Sequence, residues 1–377
     1  MAEPIRGLYI TDGTLDARAW SGTSMCLYGE LAKHFSLEIV EQAVPASYDF
    51  VCKVRGHLPG RKSLAADRTL PWRRHCARRL ARTCSEGKFD FVMSPGSLPI
   101  ALLDVDVPKF CYVDGTVQAI SSSYGGWERA DIDKADALER DALGRADLVF
   151  SASEWCAQSL RDDYDVSPSR VEVVGIGANN EVVVSDFDGV VRERASSLGS
   201  CVRLLFVGVD WGRKGGLTAL ETLRILLKAG LPARLDVVGC DPAIPETLAP
   251  HVTVHGFLSK EDPSQRARLE ELYVRAHFFI MPTTAECVGS VFCEASSAGL
   301  PVLACDVGGV STVVTDGLNG FLRKTPQEFA DIVRKLARDQ IAYEEVEREC
   351  RAAFDARLNW GVVGGQIACR IKEYLRV

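Results

Sequence analysis

The sequence predicts an α/β protein built from two doubly wound domains with parallel sheets. Short apolar runs typical of buried strands alternate with longer segments of helical periodicity through both halves of the chain. Several of these strands end in turns that contain glycine, which is common in βαβ units. A chain of 377 residues, 47% hydrophobic and 25% charged, has enough core-forming residues for about two domains of roughly 150 residues each.

Composition and charge disfavour several classes of protein. A formal net charge of −7 and a pI near 5.5 do not favour general nucleic-acid binding, which usually comes with a basic balance. The first residues lack the charged start and apolar run of a signal peptide, and no apolar stretch reaches about 18 residues. We therefore expect a soluble, cytoplasmic protein.

Cysteine and histidine usage predicts neither disulfides nor a metal site. The thirteen cysteines are odd in number and form no Cys-x-x-Cys pair. Most lie inside apolar patterns, as Cys111, Cys201 and Cys240 do, so buried free thiols are expected. The six histidines form no ligand pattern such as HExxH.

The first strand and its turn carry one candidate binding residue. Residues 5–10 predict a strand, and a helical pattern begins after the turn Ser21-Gly22-Thr23-Ser24. A glycine-led turn between strand and helix holds a phosphate or a sugar in many α/β proteins, which makes Gly22 a candidate. A simple N-cap by Ser21 or Ser24 explains the pattern nearly as well.

A basic segment, residues 53–82, stands out in this acidic chain. It contains ten Lys or Arg residues and one acid, Asp67, and residues 72–83 predict a helix with a cationic face. The segment fits a solvated surface, a site for an anionic acceptor, or contact with an anionic lipid surface. Few large apolar residues accompany the charge, so membrane contact ranks below a basic loop over an acceptor site.

The next strands place an acid where active-site residues occur. Residues 89–93 and 109–113 predict strands, and Asp114 directly follows the second. Functional residues of open parallel sheets cluster at the carboxyl ends of strands. The alternative for Asp114 is an Asx turn that caps the strand.

The remaining first half continues the alternation. Charges interleaved with Ala and Leu over residues 131–145 predict a solvated helix, and residues 146–151 and 171–174 predict strands. Residues 180–200 are polar, charged and irregular. We expect the interdomain linker there.

The second half opens with a glycine-rich turn after a buried strand, residues 202–207. Four glycines lie between Gly208 and Gly216, together with Arg213 and Lys214, and favour close approach of a ligand to the backbone. The turn matches neither GxGxxG nor GxxxxGK[ST], which disfavours dinucleotide and ATP binding. A solvated basic turn is the alternative.

A second unit of strand, loop, helix and strand spans residues 278–305. Its helical pattern starts near Gly289, and Glu294 lies one turn past Ser290 on the same face. The free amides and positive dipole end there suit a phosphate, and a carboxylate one turn deeper suits a pair of sugar hydroxyls. Glu286 lies in the preceding loop. An ordinary βαβ unit with two surface acids is the alternative.

These residues resemble a known family. The spacing Glu286-(seven residues)-Glu294, with Gly289, the run Ala298-Gly299-Leu300-Pro301-Val302 and Gly308-Gly309, resembles the signature of family 4 (group 1) retaining glycosyltransferases, which have the GT-B fold. The turn after residues 202–207 is similar to the Phe-Val-Gly and Lys-Gly element of that family, although Val209 stands where many members have arginine. The resemblance is strong in the C-terminal half and holds only in outline in the N-terminal half.

The resemblance implies a domain plan and a reaction. It implies an acceptor-side domain at residues 1–182, a donor-binding domain at residues 183–358, and a last helix, residues 359–377, packing back on the first domain across a central cleft. It implies transfer of a sugar from a nucleoside diphosphate sugar, UDP- or GDP-linked, to a hydroxyl with retention, as in hexosyltransferases. No other cofactor and no metal is implied.

Roles for single residues follow from the same resemblance. Arg213 and Lys214, with the amides around Gly289, Ser290 and Val291, are expected to stabilise the diphosphate. Glu286 is expected to hold the sugar hydroxyls and Glu294 the ribose. Gly208 and Gly22 are expected to line the donor.

Asp114 departs from the family pattern. Many members have a histidine followed by an acid after the equivalent strand, contacting the reacting end of the sugar, whereas this chain reads Val113-Asp114-Gly115. The resemblance therefore assigns that catalytic role to Asp114 without the histidine.

Two other functions fit the same residues. They are a nucleotide-sugar epimerase or phosphorylase of this fold, and a non-catalytic module that binds sugar nucleotides. A phosphorylase would need a cofactor lysine site that the sequence does not offer. A small molecule, a lipid-linked molecule and a polysaccharide all fit as the acceptor, and the sequence assigns neither the acceptor nor the linkage position.

Overall fold

A computed structural model describes residues 4–16, 19–56, 65–126 and 128–376. The chain forms two compact units: unit 1 comprises residues up to Val174 and from Gly364 onward, and unit 2 comprises Gly175–Val363. The sequence placed these borders at 182/183 and 358/359. Backbone contacts tie the stretch after Gly175 to unit 2, since Ala178 N donates to Leu358 O (3.1 Å) and Val182 N donates to Ser297 Oγ (2.9 Å).

Unit 1 is a parallel sheet with helices between its strands. Its described strands are β1 (Arg6–Thr11), β2 (Ser36–Glu41), β3 (Phe91–Pro95), β4 (Lys109–Val113), β5 (Leu148–Ser151) and β6 (Val171–Val173). Their order is β2-β1-β3-β4-β5-β6, and every pair is parallel. The described helices are α1 (Thr23–Leu31), α2 (Ala46–Gly56), α3 (Leu70–Gly87), α4 (Val117–Tyr124), α5 (Arg129–Arg145) and α6 (Glu154–Asp162).

Two features of unit 1 correct the sequence analysis. Helix α5 is not simply solvated, because Ala135, Leu138 and Ala142 are buried on one face, and Leu138 and Ala142 join the core. In the basic segment, Arg73 is only 1% exposed and lies in the interior, whereas Arg74 is exposed. Residues 57–64 of that segment lie outside the described residues.

Unit 2 repeats the architecture with a longer helical tail. Its described strands are β7 (Val202–Val207), β8 (Ala233–Val238), β9 (Val252–Gly256), β10 (Phe278–Met281), β11 (Val302–Ala304) and β12 (Gly320–Leu322). Their order is β12-β11-β10-β7-β8-β9, again all parallel. The described helices are α7 (Phe187–Leu198), α8 (Gly216–Lys228), α9 (Pro263–Arg275), α10 (Ser290–Ser297), α11 (Val310–Val313), α12 (Pro326–Leu336) and α13 (Gln340–Arg357). Helix α14 (Trp360–Leu375) begins in unit 2 and continues into unit 1.

Helix α7 lies where the sequence predicted an irregular linker. Asp186 caps it by accepting from Gly189 N (2.9 Å), and Val191, Ala195 and Leu198 bury one face. The segment is therefore part of the unit 2 core.

Helix α14 ends in unit 1, in which residues 364–377 are counted. There the ring of Tyr374 packs edge-on against Phe110 (5.3 Å), and its hydroxyl donates to Asp147 (3.0 Å). Lys372 lies 5.6 Å from the centre of the Phe35 ring.

The thirteen cysteines are all free thiols, and seven of them are buried. Cys111 is among the buried ones, but Cys201 and Cys240 are only half-buried, contrary to expectation. Among the described helices, none combines the length and the hydropathy that a bilayer-spanning segment needs.

Candidate active site

The strand order of unit 2 indicates where a ligand would bind. The chain winds outward from β7 through β8 and β9 on one side, and through β10, β11 and β12 on the other. Ligands of doubly wound sheets bind beyond the carboxyl ends of the strands, at the point where the winding direction switches. That point lies between β7 and β10, whose following loops are residues 208–215 and 282–289.

The loop after β7 needs glycine for close packing against the loop after β10. Gly215 has φ of 81°, and a Cβ there would overlap the carbonyl oxygen of Pro282. A Cβ on Gly216 would overlap the ring of Trp211, which packs against Phe206 at 5.0 Å. The two loops therefore lie in direct backbone contact, and α8 starts from this fixed turn.

This contact brings two predicted cations to a predicted acid. Lys214 Nζ forms an ion pair with Glu286 Oε2, and the two side chains are 13% and 10% exposed. Arg213 Nη1 donates to Ala285 O (2.8 Å) and lies 3.8 Å from Glu286 Oε2. Asp210 accepts from Arg213 N (3.0 Å) and holds the turn. Two positive groups and one carboxylate thus lie together, mostly shielded from water.

Helix α10 begins beside this cluster. Gly289 is its N-cap with φ of 88°. Among the described residues, no side chain caps this helix by accepting a hydrogen bond from one of its first N–H groups. A Cβ on Gly289 would lie 3.3 Å from Glu286 Cγ, which places the Glu286 side chain next to the helix start. Ser290 and Val291 are half-buried there, so the first amides of α10 offer donors for an anion.

Glu294 lies one turn deeper in α10 and is 1% exposed. Lys260 Nζ donates to its Oε1 (2.5 Å), and the Tyr273 hydroxyl donates to its Oε2 (3.1 Å). Burial and the nearby Glu294 charge raise the pKa of Tyr273 well above its ordinary value, which keeps the hydroxyl a donor. Sequence reasoning did not find Lys260 or Tyr273.

In unit 1, Gly22 and Asp114 are linked through a tryptophan. Gly22 (φ 93°) is the N-cap of α1, and the two residues before it also have positive φ, 50° at Trp20 and 56° at Ser21. Backbone in this region is strained for residues with a side chain. Trp20 Nε1 donates to Asp114 Oδ2 (2.8 Å), so Asp114 orients an indole that lies just before α1.

A cavity of about 230 Å³ opens beside Asp114 within unit 1. Its lining includes Trp20, Arg68, Asp114 and the buried Glu139. Glu139 accepts from Val117 N (2.5 Å) and from the hydroxyls of Ser97 (2.9 Å) and Tyr164 (2.8 Å), while burial raises its pKa. Glu139 therefore fixes the turn that carries Asp114.

The predicted residues accordingly divide between the two units. Unit 2 holds eight of them around the switch point, on the loops after β7 and β10 and on helix α10. They are Gly208, Arg213, Lys214, Glu286, Gly289, Ser290, Val291 and Glu294. Unit 1 holds the other two, Gly22 and Asp114. The partners that sequence analysis missed are Trp20 for Asp114, and Lys260 and Tyr273 for Glu294. Each lies far from its acid in sequence, so no local pattern indicated it.

Comparison with known families identifies the family of the chain. The model of the family described as "Glycosyl transferases group 1" matches residues 201–339, and that of "Glycosyltransferase Family 4" matches residues 27–182. The two matches together span well over half of the chain and contain most of the predicted residues.

Curated relatives match this chain over part of their length. The D-inositol 3-phosphate glycosyltransferase of Streptosporangium roseum is 26% identical over 250 residues, which cover 61% of this chain and 56% of that protein. The enzyme of the same name from Corynebacterium glutamicum is 27% identical over 240 residues, or 59% and 57% of the two chains. The chain thus spans little more than half the length of these relatives.

Solved structures match nearly the whole chain. Anabaena Alr3699/HepE in complex with UDP and glucose superposes with a TM-score of 0.64 at 16% identity, covering 98% of this chain and all of the other. Sucrose-phosphate synthase from Thermosynechococcus elongatus gives a TM-score of 0.68 at 18% identity and 99% coverage of both. At such identity these matches establish the shared fold. With both family models matched and this fold, the chain belongs to the family 4 (group 1) glycosyltransferases of the GT-B fold.

Proposed function

We propose that this protein transfers a sugar from a nucleoside diphosphate sugar to a hydroxyl acceptor, with retention at the anomeric carbon. The observation that carries the proposal is the cluster of Arg213, Lys214 and Glu286 beside the start of α10, at the switch point of unit 2. Positive charge, free amides and a carboxylate in one place suit a ligand with both phosphate and hydroxyl groups.

The reaction breaks the bond between the anomeric carbon and the diphosphate oxygen. Negative charge grows on that oxygen as the bond breaks, and preorganised donors aimed at it lower the barrier. Lys214, Arg213 and the first amides of α10 supply such donors. Glu286 would accept hydrogen bonds from the sugar hydroxyls once the sugar enters, and Glu294 from the ribose.

We infer that the donor carries uridine and that the acceptor is rich in hydroxyls. The Anabaena neighbour is described in complex with UDP and with UDP-glucose. The curated relatives are named for D-inositol 3-phosphate, which makes this cyclitol phosphate the first acceptor to test. Carboxyl groups around the unit 1 cavity, at Asp114 and Glu139, suit hydroxyl donors on such an acceptor.

The test is product analysis with a labelled UDP-sugar and a panel of cyclitol, sugar and phosphorylated acceptors. Label moving to an acceptor, with an α-linked product from an α-linked donor by NMR, supports the proposal. Label appearing in an epimeric sugar nucleotide would favour an epimerase. A third outcome would favour a binding module: the protein binds the UDP-sugar, transfers label to no acceptor, and binds equally well when it carries Glu286→Ala.

We also propose that the reaction needs no divalent metal, because two cationic side chains and helix amides already neutralise the leaving group. Transfer should therefore persist in EDTA at more than half its rate without chelator. Loss of activity in EDTA that Mg²⁺ or Mn²⁺ restores would contradict this part of the proposal.

A further inference from the structure

Lys260 lies on the loop between β9 and α9. Lys260 Nζ lies 2.5 Å from Glu294 Oε1. The Glu294 side chain is 1% exposed, whereas that of Lys260 is 32% exposed, so the lysine forms the solvent-facing side of the pair.

The pair has unused hydrogen-bonding capacity. A carboxylate accepts about four hydrogen bonds, and the described residues give the Glu294 carboxylate two, from Lys260 and Tyr273. An ammonium group donates three, and Glu294 takes one of those from Lys260. A ligand group that both donates and accepts, such as the vicinal hydroxyls of a ribose, would satisfy both members.

The backbone on either side of Lys260 is fixed by its neighbours. Ser259 N donates to Gln265 Oε1 (2.9 Å), and Glu261 N donates to Ser259 Oγ (3.2 Å). Asp262 then caps α9 by accepting from Ser264 N (2.8 Å) and Gln265 N (3.1 Å). A lysine held this way loses less conformational freedom on contacting a ligand than one on a free loop.

The opposite side of Glu294 is equally rigid. The Tyr273 ring is fully buried and stacks on Phe279 at 6.0 Å with an interplanar angle of 16°. The carboxylate is therefore clamped between a buried hydroxyl and a half-exposed cation. Its orientation toward a ligand depends on both clamps.

We propose that Lys260 is a ribose-recognition residue of this chain: it orients Glu294 and donates its remaining N–H groups to ribose oxygens of the bound nucleoside diphosphate. The inference rests on the proposed function, because it needs a nucleotide at the switch point of unit 2. It adds a selectivity, for ribose over 2′-deoxyribose, that runs through the Lys260–Glu294 pair.

The experiment measures binding of UDP, GDP and their 2′-deoxy counterparts by calorimetry. The chains compared are the wild type, Lys260→Met, Lys260→Gln, Glu294→Gln and the double variant Lys260→Met/Glu294→Gln. Lys228→Met is the matched control, since it removes one exposed positive charge at the end of α8 in the same unit. Urea denaturation of each variant confirms that it is folded.

The expected result is a loss of affinity that is larger for the ribose form than for the 2′-deoxy form. Lys260→Met should weaken binding of the preferred diphosphate about 10- to 100-fold, the range for a hydrogen bond that involves a charged group. The 2′-deoxy form should weaken less, so that the ribose preference shrinks to below about threefold. The double variant should be no weaker than Glu294→Gln, because the two residues act as one unit.

Several outcomes would overturn the inference. One is that Lys260→Met binds the ribose and 2′-deoxy forms with the affinities of the wild type, while Glu294→Gln has lost affinity. Another is Lys260→Met losing stability with an unchanged ribose preference, which would make the ion pair purely structural. If Lys260→Met does not fold, the same criteria apply to Lys260→Gln. A wild type that binds none of the four diphosphates would overturn the proposed function together with the inference.

Discussion

Single residues in this protein differ in role even when they are adjacent in sequence. Arg73 and Arg74 lie in one basic run, yet Arg73 Nη1 donates to Asp12 Oδ1 (2.6 Å) and Gln42 Oε1 (2.8 Å) in the interior of unit 1. Its Nη2 is buried with no hydrogen-bond partner among the described residues. Burial raises the pKa of Asp12 against the opposing effect of Arg73. Arg73 is thus a core residue, and only its neighbour belongs to the basic surface.

Replacing these two arginines should separate stability from surface charge. Arg73→Met removes the hydrogen bonds that a buried guanidinium makes to Asp12 and Gln42, and because the Asp12 side chain is 27% exposed its carboxylate keeps contact with water, so we expect a loss of about 1.5–3 kcal/mol. Arg74→Met removes an exposed charge and should stay within about 0.5 kcal/mol of the wild type. Urea denaturation measures both. Equal midpoints for the two variants would show that Arg73 is not held as described.

Lys214 is the residue whose loss should affect catalysis most directly. Removing one preorganised donor to a leaving oxygen typically lowers kcat about 10²- to 10³-fold. We expect this loss in Lys214→Met, with a smaller change in the KM for the donor, in steady-state assays of sugar transfer. Lys228→Met is again the charge-matched control. A kcat within twofold of the wild type would remove Lys214 from the mechanism.

At the scale of elements, the sequence identified the buried strands well. The predicted bounds of β4 and β7 match the structure, because a strand covered on both faces is a nearly continuous apolar run. Strand β2 was missed because it lies at the sheet edge and most of its residues are exposed. Burial on both faces makes a parallel strand easier to recognise from sequence, although the exposed edge strand β6 was also predicted.

Helix α7 was missed for a different reason. One of its core positions is Arg194, which is 2% exposed, so the apolar period is interrupted where the helix packs most tightly. Lys260 was missed because it lies on a loop and its partner Glu294 is 34 residues away, on helix α10. Buried charged groups whose partners are set by tertiary structure leave no local signal.

The loop between β7 and α8 offers a test of backbone packing. Gly215→Ala forces a Cβ onto Pro282 O at a positive φ, so the loop that carries Lys214 must move. We expect a loss of about 1–3 kcal/mol in stability and at least a tenfold fall in kcat/KM. Gly212→Ala, in the same loop, adds a Cβ at an ordinary contact distance of 3.8 Å and should change neither much. Similar kinetics for the two variants would contradict the packing argument.

At the scale of the whole molecule, each unit has its own sheet and its own switch point. In unit 1 the order reverses between β1 and β3, and the turns after these strands lead to Asp12 and Gly96, which line the 230 Å³ cavity. In unit 2 the reversal lies between β7 and β10. The sequence predicted both sheets, but the strand orders, which locate the sites, come from the structure.

Unit 2 is further held by the buried side chain of Arg194, which contacts Glu347 and joins four helices. Arg194 on α7 donates to Tyr273 O (2.9 Å) and Val274 O (2.7 Å) at the end of α9, to Ala298 O (3.0 Å) after α10, and to Glu347 on α13 (2.9 Å). A cation at two helix C-termini is favoured by their dipoles. Burial raises the pKa of Glu347 to about 7 despite Arg194, and its Oε2 has no partner among the described residues.

This raised pKa predicts a pH dependence with a definite sign. Between about pH 4.5 and 7 the folded protein keeps a proton on Glu347 that the unfolded chain releases, so stability falls as pH rises through that window. Glu347→Gln mimics the protonated carboxyl and removes this term while all other groups stay the same. The stability of the wild type relative to Glu347→Gln should therefore drop between pH 5 and pH 7.5, by up to about 3 kcal/mol. Urea denaturation of both proteins at the two pH values measures the difference between their free energies of unfolding. If the wild type does not lose stability relative to Glu347→Gln as pH rises, Glu347 is ionised in the folded protein throughout.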